Sequence, residues 1–243
     1  MNKKIMSFLL MGIIVLLVIS TNCNKDGDDD QQTEIKSGKF TDSRDGKVYK
    51  TVKINEQLWM AENLAYLPTV SIDSICSNKI PLYYVYNYSG TDVNAAKANA
   101  NYTVYGVLYN WEAAMDGAGS SNNIPSGVQG ACPCGWHLPS DDEWDILVDN
   151  LGGSNVAGAV LKGTTYWKSP NQGATNSSGF NGLPGGYFSF KYFVNASEAG
   201  YWWSTTEQST ERVFNRSLNY NNIHVFGSNG HKKAGFSIRC IKD

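Results

Sequence analysis

Histidine is scarce in this sequence, with three in 243 residues. His137, His224 and His231 stand at no spacing that completes a tetrahedral metal site, with or without the cysteines. A surplus of positive charge is also missing. Removing Lys3 and Lys4 with the leader leaves 18 basic against 22 acidic side chains, a net of −4, so nucleic acid is not an expected partner. No nucleophile-elbow pattern occurs, nor a Ser, His, Asp set that sequence alone could join. No repeat period or polar linker divides the chain after about residue 39, which argues for one domain. The longest apolar run, Ile5 to Ile19, is too short for a comfortable membrane span.

That run is informative for another reason. It follows Lys3 and Lys4, is broken only by Ser7 and Gly12, and ends at Ser20, Thr21, Asn22, Cys23. The pattern resembles a bacterial lipobox, whose cysteine is lipidated and becomes the new N-terminus. Residues 1–22 are therefore expected to be a lipoprotein signal peptide, with Cys23 the lipid-bearing residue. Residues 23–38 form an acidic tether: Asp26, Asp28, Asp29 and Asp30 sit in a segment with no apolar residue from Asn24 to Gln32, which cannot bury surface. The aspartates have EF-hand spacing, but Gln31 stands where a glycine must turn the loop and Ser37 where a glutamate must close the shell. An acidic run after the cysteine resembles a surface-export signal, and Asn24 replaces the aspartate that retains lipoproteins at the inner membrane. The expected location is the outer membrane, lipid-anchored and cell-surface exposed.

The remaining chain, 39–243, is rich in aromatics and glycine: all 7 Trp, all 14 Tyr and 21 of the 24 Gly. That composition describes short strands and loops joined by aromatic contacts, not a helical bundle. Lys47 to Ile54 reads as a strand with Val48, Val52 and Ile54 on one face, paired with Leu58 to Met60. Tyr83 to Tyr88 reads as another strand, and Asn94 to Asn101 as a polar helix or loop. Leu108, Trp111 and Met115 have helical spacing. The clearest element starts at Ser140, where Ser140 and Glu143 form a capping box and Trp144, Leu147, Val148 and Leu151 follow on one face. Asp141, Asp142, Asp145 and Asp149 are left for water. From Leu161 to Gly186 the chain is rich in Gly, Asn and Ser, an irregular stretch of the kind in which binding resides. Strands resume at Tyr201 to Thr205, Val213 to Tyr220, Ile223 to Phe226 and Phe236 to Ile241.

Apart from Cys23 there are four cysteines, an even number that favours two disulfides in an oxidising compartment. Cys132 and Cys134 are too close to pair comfortably, which leaves two connectivities. The favoured one joins Cys132 with Cys240 and Cys76 with Cys134.

Six blocks in order carry a family resemblance: WMAENL from Trp59, YGVLYNW from Tyr105, GWHLPSDDEW from Gly135, GLPGG from Gly182, WWSTTE from Trp202 and GFSIRCIKD from Gly235. Together they resemble the Fibrobacter succinogenes major paralogous domain, itself similar to the formylglycine-generating sulfatase-modifying enzymes. The resemblance implies an α+β, C-type-lectin-like domain of short twisted antiparallel strands, with about two helices, long loops and disulfide staples. The family's usual cysteines match Cys132 and Cys240. The related enzymes' chemistry is not matched: the C-terminal region has only Cys240 instead of a cysteine pair, and no His-x3-His-x-Glu cluster occurs.

These readings favour a non-catalytic domain that binds an extracellular glycan or protein. A structural surface or appendage component and an enzyme related to sulfatase-modifying factors are the alternatives. In a lectin-like fold the irregular loops would bring Trp167, Asn171, Asn176 and Tyr187 near Glu207, Asn219, Tyr220 and Asn222. Aromatics stack on sugar faces while amides and carboxylates bind hydroxyls or calcium. Calcium has no motif in support, no other cofactor or metal is expected, and the oligomeric state is open. Asp73, Ser74, Ile75 resembles an O-glycosylation acceptor centred on Ser74.

Overall fold

The structure is a computed structural model that describes residues 37–243. Cys23, the signal peptide and all but the end of the acidic tether lie outside the described residues. Among those residues no helix is long and apolar enough to cross a membrane.

The chain forms strands β1 (Ser37–Thr41), β2 (Val48–Ile54), β3 (Gln57–Met60) and β4 (Tyr83–Tyr84), then helices α1 (Val93–Lys97) and α2 (Ala100–Tyr105). Next come β5 (Leu108–Tyr109), α3 (Trp111–Met115), β6 (Trp136–His137), α4 (Asp141–Asn150) and α5 (Ala157–Leu161). The last third is β7 (Gly185–Ser189), β8 (Tyr192–Ala196), β9 (Ala199–Glu207), β10 (Arg212–Asn219), β11 (Val225–His231) and β12 (Ile241–Lys242). It is a mostly sheet-built α+β domain with five short helices among the described residues, where about two were expected.

Two five-stranded sheets organise it, in the orders β1-β2-β3-β12-β6 and β11-β10-β9-β7-β8, and β4 and β5 form a separate pair. Pairing is antiparallel except for β7 beside β9. That crossover needs Gly186, whose φ is +63° and where a Cβ would lie 2.3 Å from the Val194 carbonyl.

Two aromatic clusters fill the interior. In one, Tyr49, Trp136, Trp203 and Phe236 pack with Met60 and Ile238. In the other, Trp59 and Trp144 rings meet at 4.8 Å, with Phe180 and Trp202 around them. Helix α4 is held here by its apolar stripe, and Ser140 closes the capping box with Glu143. Emptying such a Trp site costs about 3–5 kcal/mol. The α4 acids are not all left to water. Arg216 on β10 binds the carboxylates of Asp141 and Asp145, tying the helix to the second sheet.

Several local expectations change. Val48 points to solvent, and Tyr49 and Thr51 turn inward beside Val52 and Ile54. The strand expected over 83–88 spans two residues, because a turn closes from the Tyr88 amide to the Val85 carbonyl. Leu108 lies on β5 and not on the helix; Asn110 caps α3 after it by accepting from the Ala113 amide. Helix α5 ends at Leu161, where the irregular stretch begins, and the β7–β8 hairpin follows the stretch. Strand β11 starts at Val225 and runs five residues past its expected end at Phe226, through to His231.

Cys132 and Cys240 form a disulfide across 108 residues. Cys76 is a free thiol, so the expected bond between Cys76 and Cys134 is not made. Their surroundings explain it. Cys76 packs against the small cluster of Leu82, Tyr84, Leu108 and Phe188. Cys134 is itself disulfide-bonded and sits in the tight turn that leads into β6 of the first sheet, where the Trp136 amide donates to the Pro133 carbonyl.

Candidate functional site

Lys162 immediately follows α5, and the domain folds its long polar loop around it. The side chain is fully buried. Its ammonium donates to the carbonyls of Asn222 at 2.7 Å, Gln172 at 2.8 Å and Asn219 at 3.1 Å, and lies 5.6 Å from the Trp167 ring. Burial pushes its pKa down to about 8. Around this clasp the loop closes on the β10–β11 turn: the Gln172 amide donates to the Tyr220 carbonyl, and Asn171 Nδ2 to Gly163 O. Trp167 Nε1 donates to Gly182 O.

Five of the eight expected ligand-binding residues therefore do meet: Trp167, Asn171, Asn219, Tyr220 and Asn222. They meet chiefly through backbone groups spent on Lys162 and on the loop itself. Asn176 is close in sequence but serves a turn, its side-chain oxygen accepting from the Asn181 amide. Tyr187 and Glu207 are elsewhere. Strand β9 pairs its Ala199 end with Asn219 and its Glu207 end with Val213, and nine residues of strand separate such ends by roughly 25 Å. Glu207 forms an ion pair with Lys232 at 2.6 Å, and that ammonium lies 4.3 Å from the Trp111 ring.

Tyr187 opens onto a groove of about 260 Å3 formed where the β7–β8 hairpin faces β9, β10 and β11. Its floor is aromatic. Tyr201 stacks on Phe236 at 5.4 Å, and Tyr187 meets both edge-on at 4.8 and 5.5 Å. Gly230 lets the floor close: a Cβ there would lie 2.4 Å from the Phe236 ring. The walls are polar. Asn215 accepts from Ser228 Oγ at 2.9 Å, and Arg212 donates to the Asn229 side chain at 3.0 Å. His231 stands at the rim between the Phe190 ring and Glu211. Burial, with Lys233 and Arg212 close by, lowers the His231 pKa against the pull of Glu211. Tyr201, Asn215, Ser228, Asn229 and Arg212 were not anticipated. The available signal was Asn215, a polar residue at an inward strand position between Val213 and Ser217.

His137 has both ring nitrogens engaged, at 2.9 Å from Glu143 and 2.8 Å from Asp243. Burial works against its charge, yet the hydrogen bonds and charges of Glu143 and then Asp243 outweigh it, so its pKa is raised. With Glu143 also accepting from the Ser126 and Ser140 amides, this is a clamp that joins α4, β6 and the C-terminal strand. No group of three His, Cys, Asp or Glu side chains among the described residues is placed to hold a metal ion. Ser74 is exposed on the loop before β4.

A family model of the Fibrobacter succinogenes major domain matches residues 52–242. The chain belongs to that family. The matched segment of the Fibrobacter succinogenes major domain holds the Lys162 clasp, the aromatic groove and the His137–Glu143 half of the clamp, and leaves out β1, the first half of β2 and Asp243. Neither the comparison with curated proteins nor that with solved structures finds a match.

Proposed function

We propose that this protein is a non-catalytic recognition module that takes an extracellular glycan in the groove between Tyr187, Tyr201 and Phe236. The observation that carries the reading is the pairing of an aromatic floor with amide, hydroxyl and guanidinium groups on the walls. Sugar rings present C–H faces that stack on aromatics and hydroxyl edges that bind such groups. The arrangement of two twisted sheets, short helices and a long polar loop accords with a C-type-lectin-like fold. Calcium is not needed in this reading, because the carbonyls at the loop apex already serve the Lys162 ammonium. Against catalysis by His137 stands the occupation of both its nitrogens by carboxylates. A lipid on Cys23 would hold the module at the outer-membrane surface, where such ligands are met.

A glycan array probed with the full chain in mild detergent, with and without chelator, tests this. Binding that survives chelator and falls at least tenfold on Tyr201→Ala supports the reading. Binding that needs calcium, or no binding across neutral plant and bacterial glycans, overturns it.

A further inference from the structure

A second cavity, of about 310 Å3, lies away from the groove between the start of β2, the end of α2 and the long loop. We propose that it binds an anionic sugar, one carrying carboxylate or sulfate, through Lys47, Lys50 and Tyr166.

The charge arrangement points to an anion. Lys39 on β1 stands directly opposite Lys50 on β2 in the strand register. Like charges so placed repel and destabilise the pair unless something negative lies between them. Among the described residues neither lysine, nor Lys47, has a carboxylate within ion-pair distance; the lysine pairs that do form involve Lys53, Lys168 and Lys232. Lys47 and Lys50 both line the cavity, and Lys50 also borders the open groove that Lys39 lines. Two acids are near. Glu62, the one carboxylate on the cavity wall, accepts the Lys50 backbone amide, and Asp45 accepts the Lys47 backbone amide. The Lys50 ammonium is thus left without a carboxylate partner among the described residues, while the Lys47 ammonium lies 5.5 Å from the Tyr49 ring.

The backbone points the same way. Tyr166 holds φ at +68° while its side chain is 56% exposed. That left-handed conformation is unfavourable for an aromatic residue, and such positions cluster where a side chain must be presented to a ligand. Its ring meets Tyr105 edge-on at 6.2 Å and stands at the cavity mouth. Tyr102 lines the opposite wall with its hydroxyl donated to the Ala65 carbonyl, which fixes the ring. A sugar ring seated against these aromatics places its acidic substituent toward the lysines, with Thr103 and Asn181 in the wall for its hydroxyls.

Titration calorimetry of the full chain carrying Tyr201→Ala, which disables the groove but lies outside this cavity, with oligogalacturonate, a sulfated heparin-derived oligosaccharide and neutral cellohexaose tests the proposal. The expected result is binding of one or both anionic sugars, weakening several-fold between 50 and 300 mM salt, with little from cellohexaose. Lys50→Gln should weaken it at least fivefold, Lys50→Arg should retain it, and Tyr166→Ala should weaken it without shifting the Tm. Equal binding of cellohexaose, no binding of either anionic sugar, or indifference to Lys50→Gln overturns it. Lys39→Gln gives a separate reading: relief of the opposed pair should raise the Tm of the unliganded protein, and a fall would remove the repulsion on which the proposal rests.

Discussion

The ammonium of Lys162 lies 2.7 Å from the carbonyl oxygen of Asn222, and two further carbonyls complete its shell. A lysine here does what a bound cation does in other loop-rich folds: it gathers backbone oxygens from distant segments around one positive centre. Replacing it leaves those oxygens buried without a donor. Lys162→Met should therefore cost about 2–3 kcal/mol of unfolding free energy, read as a lower midpoint in urea at constant slope. An unchanged midpoint would mean that the loop is held by other contacts.

His137 gives the fold a pH dependence whose sign follows from its partners. Its pKa is raised in the folded state, so the clamp contributes fully below the unfolded value of 6.5. Its contribution is then lost as pH rises through the raised folded value. Thermal melts from pH 6 upward should show stability falling as the clamp loses its proton. His137→Gln should flatten that slope. A wild-type profile that climbs over the same range would contradict the assignment of a protonated clamp.

The disulfide between Cys132 and Cys240 closes a span of 108 residues. Constraining an unfolded chain over that length contributes about 4 to 5 kcal/mol in the chain-entropy model. The double variant Cys132→Ala, Cys240→Ala should lose a large part of this in denaturant melts. Reduction of the wild type, which also opens the bond of Cys134, should lose at least as much, and alkylation of the free Cys76 alone should have little effect.

Legibility in the sequence followed how local each signal was. Helix α4 could be read because its cap and its apolar stripe lie within twelve residues. Strand β2 could be found, with Val52 and Ile54 buried as expected, but not its burial on both faces, where Tyr49 joins the first cluster, Val52 and Ile54 the second, and Val48 is exposed. The β7–β8 hairpin depends on left-handed Phe190 and Asn195, positions that polar composition does not announce. Within the loop cluster, the amides and Trp167 drew notice by residue type. Lys162 did not, because a lysine is ordinarily read as solvated. The groove was illegible for a different reason: Tyr201, Asn215 and Ser228 meet through the registers of β9, β10 and β11, which no spacing along the chain encodes.

Strand β12 lies between β3 and β6, with Ile241 paired to Trp59 on one side and His137 on the other. Residues made early thus wait for residues made almost 200 positions later before their sheet has a middle. During synthesis the N-terminal half has hydrogen-bonding edges and no partner to fill them, so folding is deferred until nearly the whole domain is present. If the chain is exported, as the lipoprotein reading proposes, such a delay would keep it threadable until it had crossed the membrane.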